Sequence, residues 1–182
     1  MTRILYGAIT VGRRTDVDAC SSVEARTVDG ARIVVLAAVQ GELATPALEV
    51  VKGNFAKLAL ADAAAAAKLA AAGLPPPFAT GIAIVLLAGE RAFVAASGAA
   101  RCYRDRGGVL TPLDAGAVDL AAGDTLIAAS HAELVVGRAF LGADVPAAVD
   151  DDTFRNNLLD DALDAALAGH AGLLSAAAAR VL

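Results

Sequence analysis

Phe93-Val94-Ala95-Ala96-Ser97-Gly98-Ala99-Ala100-Arg101-Cys102-Tyr103 runs on to Gly107-Gly108-Val109-Leu110-Thr111-Pro112-Leu113. Short apolar bursts of β-favouring residues flank Gly98, so the run reads as a strand, a glycine turn and a second strand. Upstream, Ile82-Ala83-Ile84-Val85-Leu86-Leu87 is another such burst, set off by the turn Ala88-Gly89-Glu90. Together with residues 92–96 and 101–106 these segments predict a meander of antiparallel strands joined by tight glycine-containing turns.

Residues 3–10 and 32–39 are apolar runs of the same kind, the second preceded by the turn signal Asp29-Gly30. From Thr45-Pro46 to Gly73 the spacing of alanine, leucine and lysine lengthens, and a helix is predicted. Thr45 is its expected N-cap, Pro46 its first position and Gly73-Leu74-Pro75-Pro76-Pro77 its terminator, with Gly53 and Asn54 the place where it could split. Gly123-Asp124 precedes a buried strand at 125–129. Asp152-Thr153 can cap a helix that carries Phe154, Leu158, Leu163 and Leu167 on one side and stops at Gly169, and the acidic run Asp150-Asp151-Asp152 suits its dipole. The last ten residues hold four consecutive alanines, which favour helix by propensity, although a small-residue apolar strand fits as well.

With 182 residues, 57% of them hydrophobic and 19% charged, the chain suits one domain spanning 1–182 with a single well-buried core. A net charge of −5 and a pI near 4.9 leave no basic stripe for a phosphate backbone, so nucleic acid is not an expected partner. Lys57, Asp62, Lys68 and Gly73 interrupt the alanine-rich stretch before the roughly 18 apolar residues of a membrane span accumulate. Met1-Thr2-Arg3-Ile4-Leu5-Tyr6 enters a strand pattern directly, with no apolar leader, and a cytoplasmic location is expected. Cys20 and Cys102, far apart and outside any CxxC spacing, read as structural thiols of a reducing compartment.

The 93–113 run resembles the "VANVGDSRAYL … G…LTPL" signature of the PP2C (PPM) metal-dependent serine/threonine phosphatases, with Ala99 and Ala100 where the family writes Asp and Ser. The resemblance implies an α/β (α+β) sandwich of two antiparallel β-sheets flanked by helices, and it assigns the C-terminal segment to a strand. It also implies two divalent metals, Mn2+ or Mg2+, held between the sheets by carboxylates and activating a water for attack on phosphate. Such hard cations require oxygen ligands, so each missing carboxylate removes a bond and a compensating charge.

Placed against the family motifs, Val11-Gly12-Arg13-Arg14-Thr15-Asp16-Val17-Asp18-Ala19 keeps Asp18 and sets Arg13 where the phosphate-binding arginine would lie, with Arg14 as the alternative occupant. The glycine turn after the second strand is reduced to Gln40-Gly41-Glu42-Leu43: Gln40 takes the metal-binding position and Gly41 remains. Gly98 and Arg101 are retained around the replaced Ala99. Leu126-Ile127-Ala128-Ala129-Ser130-His131-Ala132 resembles the family's "LLLASDG" with His131 for Asp, and in Gly169-His170-Ala171-Gly172, Gly172 takes the last Asp position. The metal positions therefore read Gln40, Ala99, His131 and Gly172. Ser97, Ser130 and Ser175 lie in no nucleophile elbow, and no GxGxxG or GxxxxGK[ST] is present.

These replacements predict a degenerate member of the family: a pseudophosphatase without catalytic residues or a bound metal, acting as a protein-binding module in Ser/Thr phosphosignalling. A kinase or phosphoprotein is the kind of partner implied, and a homo-oligomer remains open. The competing expectation is a phosphohydrolase with a rebuilt site drawn from Asp16, Asp18, Glu42 and His131. Arg101, Arg104 and Arg106 beside Asp105 form an alternating face that could meet a phosphorylated segment.

Overall fold

A computed structural model describes residues 3–12, 18–28, 30–73, 81–107, 109–130 and 173–182. In chain order the elements are β1 (Ile4–Gly12), β2 (Asp18–Val28), β3 (Ala31–Gly41), α1 (Ala44–Phe55), α2 (Ala63–Ala72), β4 (Gly81–Ala88), β5 (Arg91–Gly98), β6 (Arg101–Arg106), β7 (Val109–Leu113), β8 (Gly116–Asp119), β9 (Thr125–Ala129) and β10 (Leu173–Val181). They form two five-stranded antiparallel sheets, ordered β1-β10-β9-β6-β7 and β2-β3-β4-β5-β8. The helix predicted at 152–169 lies outside the described residues.

Strand periodicity explains the layers. Along β3, Ile33, Val35, Ala37 and Val39 face the helices, joined by Ile82, Ile84 and Leu86 of β4 and by Leu48, Val51, Phe55 and Leu69 of α1 and α2. The alternate residues Val34, Leu36 and Ala38, with Val85 and Leu87, face Cys102, Leu126, Ala128, Ala177 and Ala179 of the other sheet. β3 and β4 are therefore apolar on both faces, which is why they read as unbroken hydrophobic runs. Burying each such Leu, Ile or Val contributes about 1.5–3 kcal/mol, so these two strands are the backbone of the core.

The predicted meander crosses between sheets. β4 and β5 form a hairpin in the second sheet, but β6 pairs with β9 and β7 in the first. Gly98, at φ +63°, takes the left-handed conformation that turns the chain over. Arg101 braces this crossing by donating from Nη1 to Gly98 O at 2.6 Å and Ala100 O at 2.7 Å. β8 then returns to the second sheet beside β5.

The helical segment also differs from expectation. α1 starts at Ala44 behind Leu43, which offers no side-chain cap, and Thr45-Pro46 fall inside the first turn. Gly53 and Asn54 are helical, and the break comes after Phe55, where Arg26 stacks on the Phe55 ring at 5.1 Å and donates to Ala56 O at 2.6 Å. The sequence reading overlooked the cap of α2, Asp62, whose carboxylate accepts from Ala65 N at 2.7 Å. Gly73 ends α2 as predicted.

β10 is the clearest contest between propensity and context. Its four alanines favour helix, yet the strand is central, paired with β1 along its length and with β9 on the other side. Alanine's reluctance to enter a sheet amounts to less than about 1 kcal/mol per residue, which two ladders and full burial override. Arg32 Nη2 donates to Tyr6 OH at 2.7 Å, tying β3 of one sheet to β1 of the other. Among the described residues no helix is long and apolar enough to cross a membrane.

Away from the Gly98 crossing, Asp124 is fully buried and bidentate with Arg106, at 2.7 Å from both Nε and Nη2, and it accepts from Ala121 N at 2.9 Å. Burial pushes this carboxyl up, but the Arg106 guanidinium and the Ala121 N–H outweigh it and hold the pKa below the usual carboxylate range. A depressed folded-state pKa stabilises the fold above the unfolded value and loses that contribution as pH falls through the folded one. Asp124→Ala is expected to cost about 2 kcal/mol at neutral pH. In urea melts, the gap from the parent should shrink steadily as pH drops below about 4; a gap independent of pH would mean that the pair is not what stabilises.

Candidate functional site

Those of the residues singled out from the sequence around Gly41 and Gly98 that the structure describes meet at one end of the sandwich because strand register brings them there. Asp18 pairs with Gly41, Gln40 with Ala19 and Gly81, and Gly81 with Gly98. The chain leaves this end at Gly98 and enters the other sheet at Arg101, which pairs with Ala129. In that sheet Thr10 pairs with Ser175, and Ser130 N donates to Ser175 O at 2.9 Å. Gly81 is required by the crossing: a Cβ there would lie 2.8 Å from Ala100 N and 3.0 Å from Ala99 N, both backbone atoms.

Period-2 alternation decides what faces the space between the sheets. On the first sheet Ala128, Ala177 and Ala179 face inward, so Ser130 and Ser175 do too, and both are fully buried. On the second, the inward set of β3 is Val34, Leu36 and Ala38, which places Gln40, half-buried, on the same face. The hydroxyls knit these surfaces together. Ser21 of β2 donates to Ile9 O of β1 at 2.8 Å, crossing from one sheet to the other. Ser175 donates to the same carbonyl at 3.3 Å and lies 2.9 Å from Thr10 Oγ1, while Ser130 Oγ accepts from Ser175 N at 3.2 Å.

Ala99 is half-buried and Ala100 buried, so the Gly98 turn carries no acidic group. Gly98 and Arg101 are exposed, and the guanidinium is occupied with its own turn. Glu42 is exposed just beyond β3. Asp18 is described through its backbone pairing alone; Arg13, Arg14, Asp16, His131, His170 and Gly172 lie outside the described residues. Thr10 and Ser21 were not singled out in the sequence, although each continues an inward-facing alternation, with Ala8 and Val23 respectively. The arginine face predicted on the 101–106 strand divides by parity: Arg104 and Arg106 share the inward face with Cys102, and Arg106 is held by Asp124.

The described side chains facing inward at this end form a neutral donor set. Thr10, Ser21, Gln40, Ser130 and Ser175 bring neutral oxygens, and the hydroxyls are already committed to strand carbonyls, amides and each other. Among the described residues no three His, Cys, Asp or Glu side chains form a cluster able to seat a metal ion. Neutral oxygens do not fit a pair of hard dications, which need carboxylates to offset their charge. Cys102 faces between the sheets, but burial drives its thiol up to about 12, an effect only partly relieved by its hydrogen bond to Ile84 O at 3.6 Å. It is a packed apolar group and no nucleophile.

Solved structures give the arrangement its context. The catalytic domain of the serine/threonine protein phosphatase PstP, in complex with two manganese ions, superposes at TM-score 0.69 with 18% identity over 100% of both chains. The serine/threonine phosphatase of S. agalactiae gives 0.66 with 15% identity, again over 100% of both. The PP2C domain of SpoIIE from Bacillus subtilis, with a fragment of its regulatory domain, gives 0.66 at 10% identity, and this chain spans 64% of that structure. The chain has the PP2C fold. No family model matches its sequence, and no curated protein matches it either. Within the PP2C fold of this chain, two antiparallel sheets and their helices are present, while the described side chains facing inward at the Gly98 end are neutral.

Two outcomes follow. Gly81→Ala should lower stability by about 2 kcal/mol through overpacking against the Ala99–Ala100 backbone, measurable by denaturant melts, and an unchanged midpoint would refute the close approach. Cys102 should resist thiol reagents in native buffer at pH 8 and react at once in denaturant; labelling of the native protein at Cys102 would show that the space between the sheets is open.

Proposed function

We propose that this chain is a non-catalytic PP2C-like domain, a pseudophosphatase that serves as a protein-binding or regulatory module in Ser/Thr phosphosignalling. The observation that supports the reading is the cleft end: the motif resemblance gives Gln40 and Ala99 the family's metal positions, and the described inward-facing side chains around them are hydroxyls bonded to strand carbonyls, an amide and each other. In a phosphatase of this fold several carboxylates converge, and without cations they would repel one another and carry a large desolvation cost. A neutral floor relieves both. The fold is then stable without an ion, and what remains useful is its surface.

PP2C phosphatases hold their attacking water on divalent metal. The residues of this chain at the corresponding positions offer an amide and a methyl group in place of that charge, so they provide no means of polarising water or of neutralising a phosphoryl group in transit. A kinase or phosphoprotein is the partner class that fits a phosphatase-shaped domain without turnover, and a cytoplasmic setting suits such a role.

The test is an assay with p-nitrophenyl phosphate and phosphothreonine peptides in Mn2+ or Mg2+, comparing the native chain with Asp18→Ala. The expected result is no metal-dependent turnover in either. Turnover that requires metal and disappears in Asp18→Ala would overturn the proposal and favour a rebuilt metal site that includes Asp18.

A further inference from the structure

The β6–β7 hairpin emerges from the sandwich at the end away from Gly98. Leu113, at its base, packs against the second sheet, whereas Thr111 and Val109, two and four residues earlier on the same face, are exposed. Register sets Arg104 opposite Thr111 and Arg106 opposite Val109, and directly paired side chains of antiparallel strands share a face with Cβ atoms about 5 Å apart. Arg104, Arg106 and Thr111 are therefore neighbours on one surface, which faces the space between the sheets and reaches solvent beside β7.

The donors of this surface are unevenly used. Arg106 gives Nε and Nη2 to Asp124 at 2.7 Å each, which leaves Nη1 outside the pair, and its side chain is half exposed. Arg104 is half-buried. Its Nε lies buried with no hydrogen-bond partner, and it joins no ion pair among the described residues. A buried N–H without an acceptor is costly, so it marks a place where an acceptor belongs. Arg26 and Arg180 share that feature, but Arg26 is engaged with Phe55 and Ala56 O, and Arg180 lies across β9 from Asp105 on the opposite face of the sheet.

No acid bonds to Arg104. Asp124 is held by Arg106, Asp119 lies 3.2 Å from Arg91, and Glu90, exposed in the turn between β4 and β5, joins no ion pair among the described residues. Against the upward pull of burial, Arg104 adds to Arg106 and the Ala121 N–H in holding Asp124 charged, so its guanidinium lies beside that pair without bonding to it.

We propose that Arg104, Thr111 and the Nη1 group of Arg106 bind the phosphate of a phosphorylated serine or threonine in a partner protein. This rests on the reading of the chain as a module for phosphoprotein partners, and it places the phosphate at the end of the sandwich opposite Gly98. Tetrahedral phosphate fits better than carboxylate because the donors come from three side chains on two strands. The Arg104 fork, one arm of Arg106 and a hydroxyl can each meet a different oxygen, whereas a planar carboxylate would be met by one fork alone. A nucleic-acid backbone fits worse, since its affinity grows with the number of phosphates neutralised and the chain carries −5 overall.

The test is calorimetric titration of the full chain, in metal-free buffer, with a phosphothreonine peptide, its unphosphorylated form, its glutamate form and inorganic phosphate. The phosphopeptide should bind saturably, the other two peptides at least about tenfold more weakly, and inorganic phosphate should compete with it. Arg104→Gln should weaken phosphopeptide binding at least about tenfold, and Arg104→Lys, which keeps the charge and loses the fork, by less. Thr111→Val, at an exposed position on an edge strand that valine suits, should weaken it with an unchanged circular dichroism spectrum. Equal affinity for the phosphorylated and glutamate peptides, binding of inorganic phosphate without the phosphopeptide, or binding untouched by Arg104→Gln and Thr111→Val would overturn the proposal. So would binding kept in Arg104→Gln and lost in Gln40→Ala, which would put the phosphate at the Gly98 end. Metal-dependent turnover with Arg104-dependent binding intact counts against the non-catalytic reading alone, and absent phosphopeptide binding without turnover counts against this site alone.

Discussion

The Ser21 hydroxyl reaches across the sandwich to Ile9 O, and beside it Ser175, Thr10 and Ser130 are joined by neutral hydrogen bonds within the first sheet. Each such bond contributes only about 1 kcal/mol net, but leaving its groups buried and unpaired would cost more. Closing this end with converging carboxylates would require cations to offset their repulsion. Closing it with hydroxyls requires nothing from solution, and the remaining features of the cleft end are consistent with that choice. Gly81 admits the Ala99–Ala100 backbone, Arg101 secures the Gly98 turn, and β3 ends in the neutral amide of Gln40.

Much of the fold was legible because β3 and β4 are buried on both faces and therefore write unbroken apolar runs into the chain. The glycine turns and the end of α2 at Gly73 were legible for a similar reason, since each is decided locally. β2 was not read as a strand: Ser21, Ser22, Glu24, Arg26 and Thr27 give it the polarity of a loop, and only packing against β3, α1 and the other sheet makes it extended. The crossing at Gly98 was hidden for another reason. A glycine turn has the same local chemistry whether the next strand returns to its own sheet or enters the opposite one, and the partner that decides, β9, comes some twenty residues later in the chain. For β10 the family resemblance outweighed alanine's helix preference, and the pairing with β1 and β9 shows why it had to.

The site was legible in a different way. Gln40, Gly41, Gly98, Ala99 and Arg101 stood out through motif resemblance, and register brings them together at one end of the sandwich. The hydroxyls that matter most there were invisible as a group, because Thr10, Ser21 and Ser175 come from three strands spread along the chain and Ser130 lies just past the end of β9. Serine in a strand carries no signal until its facing strand is known. The fold is built where apolar packing fills both faces of β3 and β4, and the described inward-facing side chains at the Gly98 end are small or neutral.

Calorimetric titration of the native chain with Mn2+ measures this most directly, since it reads the cleft without requiring a substrate. A floor of neutral, mutually bonded oxygens should give no saturable heat and no gain in thermal stability. A stoichiometric pair of Mn2+ ions bound reversibly, with a matching rise in melting temperature, would contradict the account.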